Sequence, residues 1–151
     1  IGHLQANKVR HIVDVVHLIH SMDSLELARE IDRRAAAIGR VVDVLVQVHT
    51  SAEETKAGVA PDEAEEFARA VARLPWLRVR GLMTIGSLVD AAERVRPEFH
   101  LLRVLRDRLA PLFPEGQCSE LSMGMTGDFE VAIEEGATML RIGSALFGPR
   151  A

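Results

Sequence analysis

The sequence predicts an α/β fold built on a parallel sheet, and three observations carry that expectation. Apolar, β-branched runs such as Val41–Val48 (VVDVLVQV) alternate with stretches of helical periodicity such as Leu25–Ile38, the order that a parallel sheet with right-handed crossovers requires. Gly and Pro fall between these runs, at Gly39, Pro61, Pro75, Pro97 and Gly136, where they stop one element or start the next. Glycine- and hydroxyl-bearing turns follow strands, so polar chemistry gathers at strand carboxyl ends. About six strands are expected. They fit either an open doubly wound sheet or an incomplete (β/α)8 barrel, because a complete barrel needs about 250 residues, with a floor near 200, and this chain has 151.

In chain order, Ile1–Gln5 reads as the tail of a strand already under way, and Asn7–His11 as a short helical stretch. The apolar run Val13–His20 places a buried strand near Val15–Ile19. Asp23 or Ser24 caps a helix to Ile38; Asp23 and Glu26 have capping-box spacing, and Gly39 is the stop. Val41–Val48 is the clearest strand, followed by the polar loop His49–Gly58, long enough to draw functional interest. Pro61 opens a helix to Arg73. Leu77–Ile85 is a strand whose alternating Arg78 and Arg80 predict an edge exposed at its start. Gly86–Arg96 is a loop or a partly helical segment, and Pro97–Leu109 is a helix with Phe99, Leu102, Leu105 and Leu109 on one face. A strand at Gln117–Met123, a helix at Gly127–Glu135 and a strand at Thr138–Ile142 close the pattern. No low-complexity linker or second domain interrupts residues 1–151.

Composition narrows the classes. Hydrophobic residues make up 48% and charged residues 26%, the balance of a globular protein. The net charge of -4 points to neither nucleic acid nor an anionic membrane. Cys118 is the single cysteine; it rules out an internal disulfide, suits a reducing compartment and is expected to be a buried thiol rather than a nucleophile. No apolar run reaches spanning length and no signal segment is visible, so the expected location is cytoplasmic. His11, His17 and His20 lack ligand spacing on one surface, so no metal site is expected.

The stretch Leu121–Pro149 (LSMGMTGDFEVAIEEGATMLRIGSALFGP) concentrates the chemistry. Its first turn offers Ser122, Gly124, Thr126 and Gly127 before a helix; its second offers Arg141, Gly143 and Ser144 after a strand. Small residues let backbone N–H groups approach a ligand, hydroxyls add donors, and a helix N-terminus favours an anion. Two such turns one βα unit apart describe a phosphate cup shared by adjacent loops. The competing reading makes the first turn ordinary, with Thr126 as a helix N-cap, and pairs Arg141 with Glu134 or Glu135 in a salt bridge.

Several motifs together resemble the pyridoxal phosphate homeostasis protein family. They are Ile1-Gly2-His3-Leu4-Gln5 with Asn7-Lys8, His20-Ser21-Met22-Asp23-Ser24, Val46-Gln47-Val48-His49-Thr50-Ser51 with Lys56 and Gly58, and Arg80-Gly81-Leu82-Met83-Thr84-Ile85. Ser122-Met123-Gly124-Met125-Thr126 with Asp128, and Arg141-Ile142-Gly143-Ser144 with Phe147-Gly148, continue the match. The resemblance implies a (β/α)8 TIM barrel of the alanine-racemase N-terminal type. It is incomplete here, with about six βα units and the first two strands missing, so that residues 1–151 form one PLP-binding barrel domain. It implies pyridoxal 5'-phosphate (PLP) as cofactor and a role in PLP homeostasis, as a carrier or buffer without catalytic turnover. PLP-dependent apo-enzymes are the implied partners, and a full-length protein is expected to be monomeric. The family holds PLP as an imine on a lysine of the first barrel strand. That motif is absent here, where the only lysines are Lys8 and Lys56, so the lysine is expected upstream.

By the same resemblance, Ser122 and Thr126 give hydroxyls to the phosphate, and Gly143 and Ser144 give backbone N–H groups with the Ser144 hydroxyl. Gly124 shapes the turn, Arg141 faces the pyridine nitrogen, His3 lies near the cofactor, and Met83 and Met123 wall the pocket; the competing readings are a structural histidine at His3 and plain core packing at Met83 and Met123. Two alternatives stand beside the carrier: a racemase- or decarboxylase-like enzyme, disfavoured by the absence of any tyrosine, and a barrel that binds another phosphorylated metabolite through the same cup.

Overall fold

The computed structural model describes residues 1–51, 57–88 and 90–148. Glu53, Glu54 and Lys56 of the polar loop, and Pro149 at the end of the stretch Leu121–Pro149, lie outside them. Four parallel strands, β1 (Leu18–Met22), β2 (Val42–Gln47), β3 (Leu77–Met83) and β4 (Glu120–Ser122), form one sheet in the order β1-β2-β3-β4. Strand order equals chain order, as successive βα units dictate when each crossover returns beside its predecessor. Helices α1 (Leu25–Ala37), α2 (Ala64–Ala72) and α3 (Arg96–Leu109) connect the strands, and two short helices follow, α4 (Phe129–Glu134) and α5 (Ser144–Phe147).

The alternating side chains of the strands explain the layering. Val42, Val44 and Val46 of β2 pair in register with Leu77, Val79 and Leu82 of β3, and Leu82 pairs with Leu121 of β4. All of these join one buried cluster with Ala28 and Ile31 of α1, Ala68 and Val71 of α2, and Phe99, Leu102 and Leu105 of α3. The helices therefore cover one face of the sheet. The other face carries His20, Asp43, Leu45, Gln47, Met83, Glu120 and Ser122, the residues that alternate with that cluster.

The helices sit where their periodicity puts them. Ser24 caps α1, its hydroxyl accepting from Leu27 N at 3.3 Å, and Gly39 (φ +64°) follows its end, as the glycine stop requires. The strands depart from expectation in three places. The first strand runs over Leu18–Met22 instead of Val15–Ile19. Val13–Val16 is a turn because the Arg40 guanidinium collects the carbonyls of Val13, Asp14 and Val16, and those bonds outweigh β propensity. Ile1–Gln5 forms no strand; no described ladder supplies its backbone groups with partners. The expected strand Thr138–Ile142 reduces to a single bridge, Ser122 with Met139. The sheet thus has four strands where six were expected, and it does not close on itself among the described residues.

Strand β3 is not an edge. It lies between β2 and β4, and its arginines meet carboxylates on both neighbours. Arg78 donates twice to Asp43, at 2.6 and 3.0 Å, and Arg80 lies 4.0 Å from both Asp43 and Glu120. The alternation that looked like exposure is a layer of paired charges at the amino ends of the strands. Gly81 lets β3 and β4 approach: a Cβ there would sit 2.0 Å from the Glu120 carbonyl oxygen.

Candidate functional site

At the opposite, carboxyl end of the sheet, four segments converge on Arg141. Its Nη1 donates to Ser122 Oγ at 2.9 Å and its Nη2 to the Thr84 carbonyl at 2.7 Å. Ser122 Oγ also lies 2.9 Å from His20 Nδ1. The Thr84 hydroxyl donates to the Val48 carbonyl at 2.9 Å and lies 2.8 Å from Thr50 Oγ1. The site therefore draws on β1, the end of β2, the end of β3, and the segments on either side of α4.

Backbone pairing brings the two small-residue turns together. Met123 N donates to the Met139 carbonyl and Arg141 N to the Gly124 carbonyl, so the chain after α4 runs alongside the chain after β4. Gly124 (φ +88°) makes that possible: a Cβ there would meet Ala132 Cβ at 2.5 Å. Farther out, Ala145 N in α5 donates to Thr126 Oγ1 at 3.3 Å. Thr126 is thus not the cap of α4. That place belongs to Asp128, whose Oδ1 accepts from Met125 N and ties the turn to itself. Gly143 and Ser144 are exposed beside Thr126 at the start of α5.

The electrostatics single out Arg141. Both of its acceptors are neutral oxygens, and among the described residues it makes no ion pair. Burial lowers its pKa from the usual arginine range, opposed by the Asp128 carboxylate. The alternative salt bridge with Glu134 or Glu135 is not formed. Those carboxylates bind Arg96, and Glu135 is also 3.2 Å from His100 Nδ1 and 3.3 Å from Arg103. A mostly buried guanidinium without a carboxylate is costly unless something anionic or electron-rich completes it. His20 is held neutral: burial first, and then the Arg141 charge, push its pKa down to about 4.

The remaining expected residues divide. Met83 pairs in register with Ser122 and Gln47 on the face away from the helices, beside the cluster. Met123 is in the helix-side core, as its position two residues after Leu121 requires. His3 is largely exposed, with Nδ1 3.8 Å from Asp23 just beyond β1; its described partner is that carboxylate and not Arg141. Cys118 is fully buried and its thiol is pushed up to about 11 by burial, which keeps it from acting as a nucleophile. His20, Thr50 and Thr84 were missed. All three lie in the motifs quoted for the resemblance, but the shifted register of β1 hid which way His20 faces.

The model of the alanine racemase N-terminal domain family matches residues 1–151. The chain is 49% identical over 150 residues to a pyridoxal phosphate homeostasis protein of Aquifex aeolicus, covering 99% of this chain and 65% of that protein. It thus spans just under two thirds of the length of that relative. Among solved structures, it is similar to an unknown protein of Bifidobacterium adolescentis, with 45% identity, a TM-score of 0.91, and coverage of 97% of this chain and 59% of the other. It is also similar to PipY of Synechococcus elongatus with PLP bound, at 35% identity and a TM-score of 0.85, covering 98% of this chain and 68% of that one.

Proposed function

This chain belongs to the alanine racemase N-terminal domain family, and on that premise we propose that it binds pyridoxal 5'-phosphate and serves PLP homeostasis as a carrier without turnover. The observation that carries the proposal is Arg141: a mostly buried cation held, among the described residues, by neutral oxygens, next to two small-residue turns that adjoin through Thr126 and Ala145. PLP has the complementary parts, an electron-rich ring nitrogen and a dianionic phosphate. Similarity to a pyridoxal phosphate homeostasis protein and to PLP-bound PipY supports the same ligand.

In this proposal the Thr126 hydroxyl, the backbone N–H groups of Gly143 and Ser144, and the Ser144 hydroxyl receive the phosphate. Arg141 faces the pyridine nitrogen, Met83 lines the ring side, and Gly124 gives the turn its shape. Bound PLP supplies an electrophilic aldehyde and an electron sink. A permanent cation at the ring nitrogen keeps that nitrogen unprotonated and weakens the sink, which favours holding the cofactor over transforming a substrate on it. Delivery to PLP-dependent apo-enzymes in the cytoplasm is the corresponding role. Neither lysine is assigned to attach the cofactor: Lys8 is exposed in the 3-10 turn Ala6–His11, and Lys56 lies outside the described residues.

The test combines binding with trapping. Arg141→Ala is expected to weaken PLP at least tenfold, the scale of losing a charge-assisted hydrogen bond. Borohydride reduction with PLP present, followed by peptide mapping, is expected to leave Lys8 and Lys56 unlabelled. Unchanged affinity in Arg141→Ala, or stoichiometric labelling of either lysine, contradicts the assignment.

A further inference from the structure

Ser122, the residue the sequence marks for a ligand, is fully buried, and its hydroxyl is engaged from two sides. Arg141 Nη1 lies 2.9 Å from Oγ, and His20 Nδ1 lies 2.9 Å from the same atom. A guanidinium has only donors, so Ser122 Oγ accepts from Arg141. The second contact has two possible arrangements. In one, His20 carries its proton on Nδ1 and donates to Ser122. The serine proton is then left with no acceptor among the described residues, inside a fully buried site, and an unmade bond of that kind is expensive. In the other, Ser122 O–H donates to a bare Nδ1 and every group is satisfied. The donors then run one way, from Arg141 to Ser122 to His20, and each bond polarises the next. A neutral imidazole that accepts at Nδ1 carries its proton on Nε2.

We infer that His20, and not Ser122, meets the ligand: the Arg141–Ser122–His20 chain fixes the imidazole with Nε2–H as a donor to the ring of bound pyridoxal. His20 is half-buried, its Nε2 has no partner among the described residues, and it stands on the face of β1 turned away from the helix-side core. Burial and the nearby Arg141 charge keep the ring neutral near pH 7. The ring and not the phosphate is its target, because Ser122 joins it to Arg141, whereas the phosphate-binding turns meet at Thr126 and Ala145. Ser122 becomes a positioning residue. The contact rests on the PLP proposal; the tautomer does not.

The experiment has a ligand-free arm and a ligand arm. Nitrogen-15 correlation spectra of the histidine rings, recorded at pH 7 on the unliganded chain, are expected to show His20 with Nε2 protonated and Nδ1 bare. The signal is assigned by its loss in His20→Gln. An Nδ1–H tautomer or an imidazolium overturns the inference without touching the PLP proposal. In the ligand arm, His20→Leu is expected to weaken PLP and pyridoxal alike, roughly tenfold, and His20→Gln, which keeps a donor near Nε2, to recover most of that loss. Weakening of PLP alone, or of neither compound, overturns the ring contact. Absence of all PLP binding overturns the contact together with the PLP proposal, while the tautomer stands on its own spectrum.

Discussion

Arg141 and His20 divide one problem between them: how to keep a positive group and an ionisable group side by side away from water. Arg141 stays charged and leans on Ser122 and Thr84; His20 gives up its proton, its pKa lowered to about 4 from an ordinary 6.5. The stability consequence has a definite sign. Between those two values the unfolded chain binds more protons at His20 than the folded chain, so its contribution falls as pH drops from about 6.5 to about 4 and is constant below. Solvent screening of the half-exposed ring limits the effect to about 1–2 kcal/mol. Urea denaturation of the wild type and His20→Gln across this range is expected to give stability differences that change by that amount; a pH-independent difference contradicts the assignment. At this scale the meeting of the Gly124–Thr126 turn with the Gly143–Ser144 turn beside Arg141 was legible, because small residues and an arginine around a strand end are local signals. His20 was not, because its role depends on a partner 102 residues away. Nor was the true position of Ser122, visible only once β4 places it between two other side chains.

Elements behaved in proportion to how local their causes are. Helix α1 follows from its own periodicity, its Ser24 cap and the glycine after it, and all of that is written within fifteen residues. The first strand moved because Arg40, beyond the far end of α1, captures the carbonyls of the Val13–Val16 turn. Strand β3 read as an edge because its charges find partners only across the sheet, on Asp43 and Glu120. Gly81 is where that packing is least tolerant. An alanine there brings a methyl group to 2.0 Å from the Glu120 carbonyl oxygen, and backbone cannot swing aside as a side chain can. Gly81→Ala is therefore expected to destabilise the chain by about 2–4 kcal/mol, measured by urea denaturation. A loss below about 0.5 kcal/mol contradicts the close approach of β3 and β4.

For the molecule as a whole, the parallel order of strands sets the polarity of function. Paired charges, Asp43 with Arg78 and Arg80 near Glu120, occupy the amino ends; the Arg141 cluster and the two turns occupy the carboxyl ends, where loops are free to build a site. The α/β class and the parallel order were readable from alternating runs, while the covering of one sheet face by the helices and the closure of the sheet depend on contacts that no local pattern encodes. The central claim is that these carboxyl-end residues recognise PLP as a whole, ring as well as phosphate. The most direct measurement is calorimetric titration of PLP into the chain, alone and with a comparable concentration of a sugar phosphate present, repeated with Arg141→Ala. Saturable PLP binding is expected, which the sugar phosphate does not displace at comparable concentration and which Arg141→Ala weakens at least tenfold. Displacement by the sugar phosphate at concentrations comparable to PLP would show a generic phosphate cup and contradict the claim.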